Sequence, residues 1–120
     1  QVAQELGGWT SAWVGRDSAA YLGYYAPEFT PADGTSREAW EAARKRALAR
    51  AARIRIERVD ERIAVTGADE VTTTFRQQYS AAGYRDEVEK TLVWKNIGGR
   101  WLIVRETANT VPAAAGAAPR

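Results

Sequence analysis

The sequence contains no cysteine, no histidine and no methionine. Without cysteine there is no disulfide framework and no thiolate chemistry. Without histidine the commonest metal ligand and the usual neutral-pH proton carrier are both missing, and no Ser-His-Asp arrangement can be built. No apolar run reaches the roughly 18 residues that mark a membrane-spanning helix, so no membrane insertion is expected. No glycine-rich phosphate loop precedes a helix, and no carboxylate cluster has metal-ligand spacing. Neither a cofactor nor a metal is therefore expected.

What remains is a chain of 120 residues and 13.2 kDa, enough for one domain with one hydrophobic core. Apolar residues make up 45% and charged ones 27%, which excludes a disordered chain. The net charge of +2 is too small to argue for a nucleic-acid partner. The stretch from Arg44 to Arg62 is rich in arginine, but acids interrupt it and no aromatic stands among the cations, so no nucleic-acid binding is expected. The chain starts at Gln1 without an initiator methionine, which reads as a piece of a longer, processed product. From residue 110 the composition turns to Ala, Pro and Gly without apolar period. This predicts a folded domain over residues 1–109 and a disordered tail or linker over 110–120.

Helical periodicity gives way to strands after about Ala52, the order of an α+β domain. Leu6, Trp9 and Trp13 mark the buried face of a first helix that stops near Gly15. Asp17 is a good N-cap for a second short helix through Tyr25, which Pro27 closes. The spacing of Thr35 and Glu38 predicts a capping box and a third helix to about Arg50. Period two then takes over. Val71, Thr73, Phe75, Gln77 and Tyr79 share one strand face, and Val88, Lys90, Leu92 and Trp94 share another. The stretch Val59–Val65 breaks the alternation once, which predicts a bulge. Turns at Gly67, Ala82–Gly83 and Gly98–Gly99 predict an antiparallel meander. On the last strand, Trp101 or Leu102 must face outward.

The segments WTSAWVGRDSAAYLGYYAPEF, SREAWEAARKR, FRQQY, KTLVW and GRWLIVRE together resemble the nuclear transport factor 2-like (SnoaL-like) superfamily. The nearest branch is the small C-terminal domain of exported bacterial L,D-transpeptidase-type and repeat proteins. The resemblance implies a cone-shaped α+β fold, with three N-terminal helices packed on a strongly curved, mostly antiparallel sheet that encloses a pocket. It also implies a bacterial, periplasmic or otherwise exported setting and a role accessory to a larger protein, although a cytoplasmic chain is compatible with it. Members include isomerases, dehydratases and cyclases as well as binding modules, so the fold does not choose between them.

Candidate site residues are those that break the apolar pattern. Arg44 lies on the apolar stripe of the third helix, one turn from Trp40 and from Leu48. An inward guanidinium needs an anion, either Glu106 in the chain or a carboxylate ligand. Gln77 and Lys90 stand among apolar residues on inward strand faces. Tyr21, Tyr25, Trp40, Tyr79 and Trp94 are candidate aromatic walls. Asp17 and Glu106 are the weak candidates for a general base, with Asp17 better read as a helix cap. Two functions compete. One is a module that binds or positions a small polar or anionic ligand or peptide, a cell-wall fragment being one candidate. The other is a SnoaL-like isomerase, dehydratase or cyclase using Asp17 or Glu106 as base. A carboxylate of raised pKa in a closed cavity favours the enzyme, whereas one already paired to a cation favours the module. Monomer and homodimer are both compatible with the sequence.

Overall fold

Strand order and helix placement follow from where the apolar side chains fall. The computed structural model describes residues 2–32, 34–51 and 53–110. Three helices, α1 (Val2–Val14), α2 (Ser18–Leu22) and α3 (Arg37–Arg50), precede four strands. These are β1 (Arg55–Gly67), β2 (Glu70–Ala81), β3 (Tyr84–Ile97) and β4 (Arg100–Thr110). The strands form one antiparallel sheet in the order β1-β2-β3-β4. The fold is α+β, with the helices on the inner face of a curled sheet. Thr110 is the last residue of β4 and pairs with Val88, while the remainder of the expected tail, 111–120, lies outside the described residues.

The core sits between the helices and that inner face. Leu6, Trp9 and Trp13 of α1 pack with Tyr21, Tyr25, Phe29, Phe75, Leu92, Trp94 and Ile103. Full burial of each such side chain contributes about 1.5–3 kcal/mol. Trp9 meets Phe75 edge-on at 6.2 Å, and Trp13 meets Tyr79 at 5.5 Å. Among the described residues no helix is long and apolar enough to cross a membrane.

Local expectations hold at Asp17, whose side chain accepts from the Ala20 backbone N–H at the start of α2. Two others are corrected. The second helix ends at Leu22 rather than Tyr25, because Tyr24 and Ala26 bond with the backbone of Ile103 on the outer edge of β4. The N-cap of α3 is Ser36, one residue later than Thr35, and its hydroxyl accepts from the Ala39 N–H. Either residue has a capping oxygen, and Ser36 is the one preceding the first helical turn.

The sheet's curl has two local sources. In β1 the ladder slips between Val59 and Arg62, so Asp60 and Glu61 together oppose Phe75, and Asp60 adopts φ 55°. In β4 it slips opposite Val93 and Trp94, leaving Val104 as an extra residue. Each bulge bends its strand and increases the local twist. The Gly98–Gly99 turn needs positive φ at both positions, 61° and 90°, which glycine adopts without Cβ strain. On β4, Leu102 faces the outer side yet is nearly buried, while Trp101 packs against the core cluster.

Candidate functional site

Counting outward from the Ala81–Tyr84 pair at the β2–β3 turn lines up the inner face in rows. Tyr79 lies opposite Asp86, Gln77 opposite Val88, Phe75 opposite Lys90, and Thr73 opposite Leu92. The polar rows therefore collect towards one end of the sheet, and the fully apolar row of Val71, Trp94 and Ile103 lies at the other. At the polar end a cavity of about 290 Å³ opens between sheet and helices. Its walls include Trp13, Tyr21, Arg44, Gln77, Tyr79 and Lys90. That volume suits a ligand of one or two small units. A second cavity of about 240 Å³ shares Arg44, Lys90 and Ala108 with the first and adds Phe29, Trp40 and Glu106.

Glu106 reaches the interior through the β4 bulge. A regular ladder counted from the Gly98–Gly99 turn would set Arg105 opposite Leu92; with Val104 extra, Glu106 takes that place. Its two oxygens are both occupied. The Tyr25 hydroxyl donates to Oε1 at 2.7 Å, and Lys90 Nζ donates to Oε2 at 2.5 Å. Arg44 stands 3.9 Å from Oε2. Behind them, Trp9 Nε1–H donates to the Tyr25 hydroxyl, which lies 3.2 Å from that of Tyr21. Lys90 also lies over the rings of Trp9 and Trp13, at 5.9 and 5.5 Å.

This environment fixes the charge states. Burial acts to raise the Glu106 pKa, but the charges of Lys90 and Arg44, with hydrogen bonds from Lys90 and Tyr25, outweigh it and hold the carboxyl below its ordinary value. Burial pushes the Tyr21 and Tyr25 hydroxyls well above the usual phenol range. The interior thus holds an ionised, cation-bound carboxylate and neutral phenols.

Gln77 is the exception to this saturation. It is 3% exposed, lines the first cavity, and its Oε1 has no hydrogen-bond partner among the described residues. A buried carbonyl left in that state costs about 1–3 kcal/mol. By contrast Thr73, four residues earlier on the same face, accepts from Trp94 Nε1–H at 3.1 Å.

The sequence-predicted residues distribute as follows. Arg44, Gln77, Lys90, Tyr79 and Tyr21 converge on the first cavity, whereas Trp40 and Glu106 belong to the second. Arg44 lies 5.7 Å from the Trp40 ring. Tyr25 lines neither of these two cavities and acts from behind through Glu106. Trp94 lines neither and is fully buried against Thr73, so it belongs to the core instead of a pocket wall. Asp17 is exposed on α2 as a cap. Trp13, Asp86 and Val88 also line the cavity. The last two were legible from the two-residue turn, which sets them opposite Tyr79 and Gln77.

Among the described residues no group of three or more carboxylates could hold a metal ion. No curated protein matches the sequence. Among solved structures, Bd1075 of Bdellovibrio bacteriovorus superposes with TM-score 0.84 at 21% identity, over 92% of this chain and 40% of that one. The helical cell shape determining protein Pgp2 of Campylobacter jejuni, as its K307A mutant, gives TM-score 0.78 at 23% identity, over 85% of this chain and 37% of that one. An NTF2-like family protein of Streptomyces avermitilis, provisionally called a dehydratase, gives TM-score 0.79 at 18% identity, over 94% of this chain and 95% of that one. This chain spans about two fifths of the length of the first two, and at these identities the likeness is one of fold. At the level of sequence, the family model of the Cds6 C-terminal NTF2-like domain matches residues 1–107. The chain belongs to that family.

Proposed function

We propose that the domain binds a small polar or anionic ligand or peptide in the first cavity and has no catalytic role of its own. The observation that carries this reading is Gln77, a buried amide with an unpartnered oxygen, in a cavity also lined by Arg44 and Lys90. A ligand N–H or O–H directed at Gln77 relieves the unsatisfied carbonyl, and an acidic group on the same ligand meets the two cations. Tyr21, Tyr79 and Trp13 supply apolar walls.

The family and the lengths of Bd1075 and Pgp2 support an accessory role within a larger protein, and the cell-shape description of Pgp2 makes a cell-wall fragment in an exported setting the ligand class to try first. The second reading, an isomerase, dehydratase or cyclase with Glu106 as base, draws on the position of Glu106 in the second cavity. Its lowered pKa and its two occupied oxygens make it a poor base, which favours the binding reading.

The test is thermal denaturation of the full chain with a panel of N-acetylated amino sugars and short peptides ending in a free carboxylate. At least one should raise the melting temperature, and Arg44→Ala should abolish that rise while the variant stays folded. An Arg44→Ala variant that unfolds, beside a parent that no probe stabilises, would mark Arg44 as a structural ion-pair partner and end the binding reading.

A further inference from the structure

The two edges of the sheet are treated differently. The outer edge of β4 is bonded at Ile103 by the backbone of Tyr24 and Ala26. The outer edge of β1 has no strand partner among the described residues. Its first half is guarded by Arg55, Glu57 and Arg58 and ends in the Asp60–Glu61 bulge, devices that discourage strand addition. After Arg62 the guard stops, and the next four residues are Ile63, Ala64, Val65 and Thr66.

These four are exposed on both faces. Ile63 and Val65 pair with Thr73 and Val71, so both point to the inner side. Thr73 and Val71 are buried there, yet Ile63 is 47% and Val65 80% exposed. A β-branched pair is thus left uncovered beside open backbone N–H and C=O groups.

We propose that this edge pairs with the same edge of a second copy, antiparallel about a two-fold axis at Ala64, giving a continuous sheet of two four-stranded halves. The occupant follows from self-complementarity. Residues directly opposite in an antiparallel pair share a face, so inner apolar residues must meet each other. Centred on Ala64, Ile63 of each copy faces Val65 of the other and Arg62 faces Thr66, between the slips of the β1 ladder at Val59/Arg62 and Val65/Gly67. Centred on Ile63, Val65 faces Glu61 instead. Centred on Val65, Ile63 faces Gly67, beyond the second slip of the β1 ladder. Of these three registers, the one centred on Ala64 gives both exposed apolar residues of each copy an apolar partner on the other, and it is isologous, as a two-fold dimer requires.

The chain has no cysteine, so one introduced thiol reports without background. Opposed residues in an antiparallel pair have Cα atoms about 4.5–5.5 Å apart, within disulfide reach. Sedimentation of the full chain should show a concentration-dependent dimer. Val65→Lys, at an exposed position where the fold is insensitive, should weaken it by an order of magnitude or more, with circular dichroism unchanged. Ala64→Cys should form a disulfide-linked dimer under mild oxidation, at least tenfold faster than Ala19→Cys on exposed α2. A chain that stays monomeric at millimolar concentration would overturn the proposal. So would a dimer that survives Val65→Lys while Ala64→Cys thiols remain free, because association would then use another surface. The readout is independent of any ligand, so its failure leaves the pocket reading standing.

Discussion

Thr73 and Gln77 stand on the same face of the same strand, one residue apart in that face's alternation from Phe75 on either side. Both break an apolar pattern, and both are almost completely buried. Thr73 belongs to the sealed half of the interior, where Trp94 supplies its hydroxyl with a donor. Gln77 belongs to the half that opens into a cavity, and its oxygen has no such donor among the described residues. Polarity in a core is therefore not by itself a sign of a site. The informative feature is polarity that the surrounding protein does not satisfy.

The sharpest break in that contrast is at the ion pair that borders the open half. Removing one partner, as in Lys90→Met or Glu106→Leu, leaves a buried charge and should cost about 3–5 kcal/mol in urea unfolding. The double variant Lys90→Met/Glu106→Leu should recover most of this loss, and a double variant no better than either single one would deny the pairing its role. Next in size is the sealed half: Trp94→Phe removes the donor to Thr73 and should cost about 1–3 kcal/mol. Gln77→Leu should go the other way, leaving stability unchanged or raised by up to about 1 kcal/mol, because no existing hydrogen bond of Oε1 is lost. The same variant should lose ligand-induced stabilisation. A destabilisation as large as that of Trp94→Phe would mean that the Gln77 amide is structurally engaged after all.

Titration separates the two halves less strongly. Because the folded-state pKa of Glu106 is depressed, its contribution is fully present above the ordinary value of 4.5 and is lost as pH falls below it through the folded value. Tyr21 and Tyr25 have raised values, so their contribution is intact below the ordinary phenol pKa of 10.0 and is lost as pH rises beyond it. Unfolding followed against pH should show both flanks, and Glu106→Gln should flatten the acidic one. Smallest of all, Asp17→Ala should cost about 1 kcal/mol through the lost α2 cap and leave ligand response unaltered. A loss of ligand response there would return Asp17 to the site.

These contrasts also separate what the sequence reveals from what it hides. The alternation Val71-Thr73-Phe75-Gln77-Tyr79 identifies the inward face without coordinates, since a strand has only two sides. The two-residue turn at Ala82–Gly83 then sets β3 against it, which is why Lys90 could be placed inside. Satisfaction is harder to read. That Trp94 serves Thr73, while no described residue serves Gln77 Oε1, depends on rotamers and helix placement. The end of α2 was hidden because Tyr25 is good helix material, and a backbone edge on β4 draws its neighbours away. Glu106 was nameable as a candidate, but its inward turn depends on a bulge within Val104-Arg105 that no glycine or proline announces.

That extra residue has a further consequence. Excising Val104 would bring Ile103 and Glu106 to ordinary two-residue spacing, so both would keep their orientation while the strand lost its bend. Contour and chemistry of the interior are therefore encoded at different positions. Loss of that one bulged residue would reshape the hollow without exchanging any group that lines it, whereas substitutions can alter those groups without disturbing its outline.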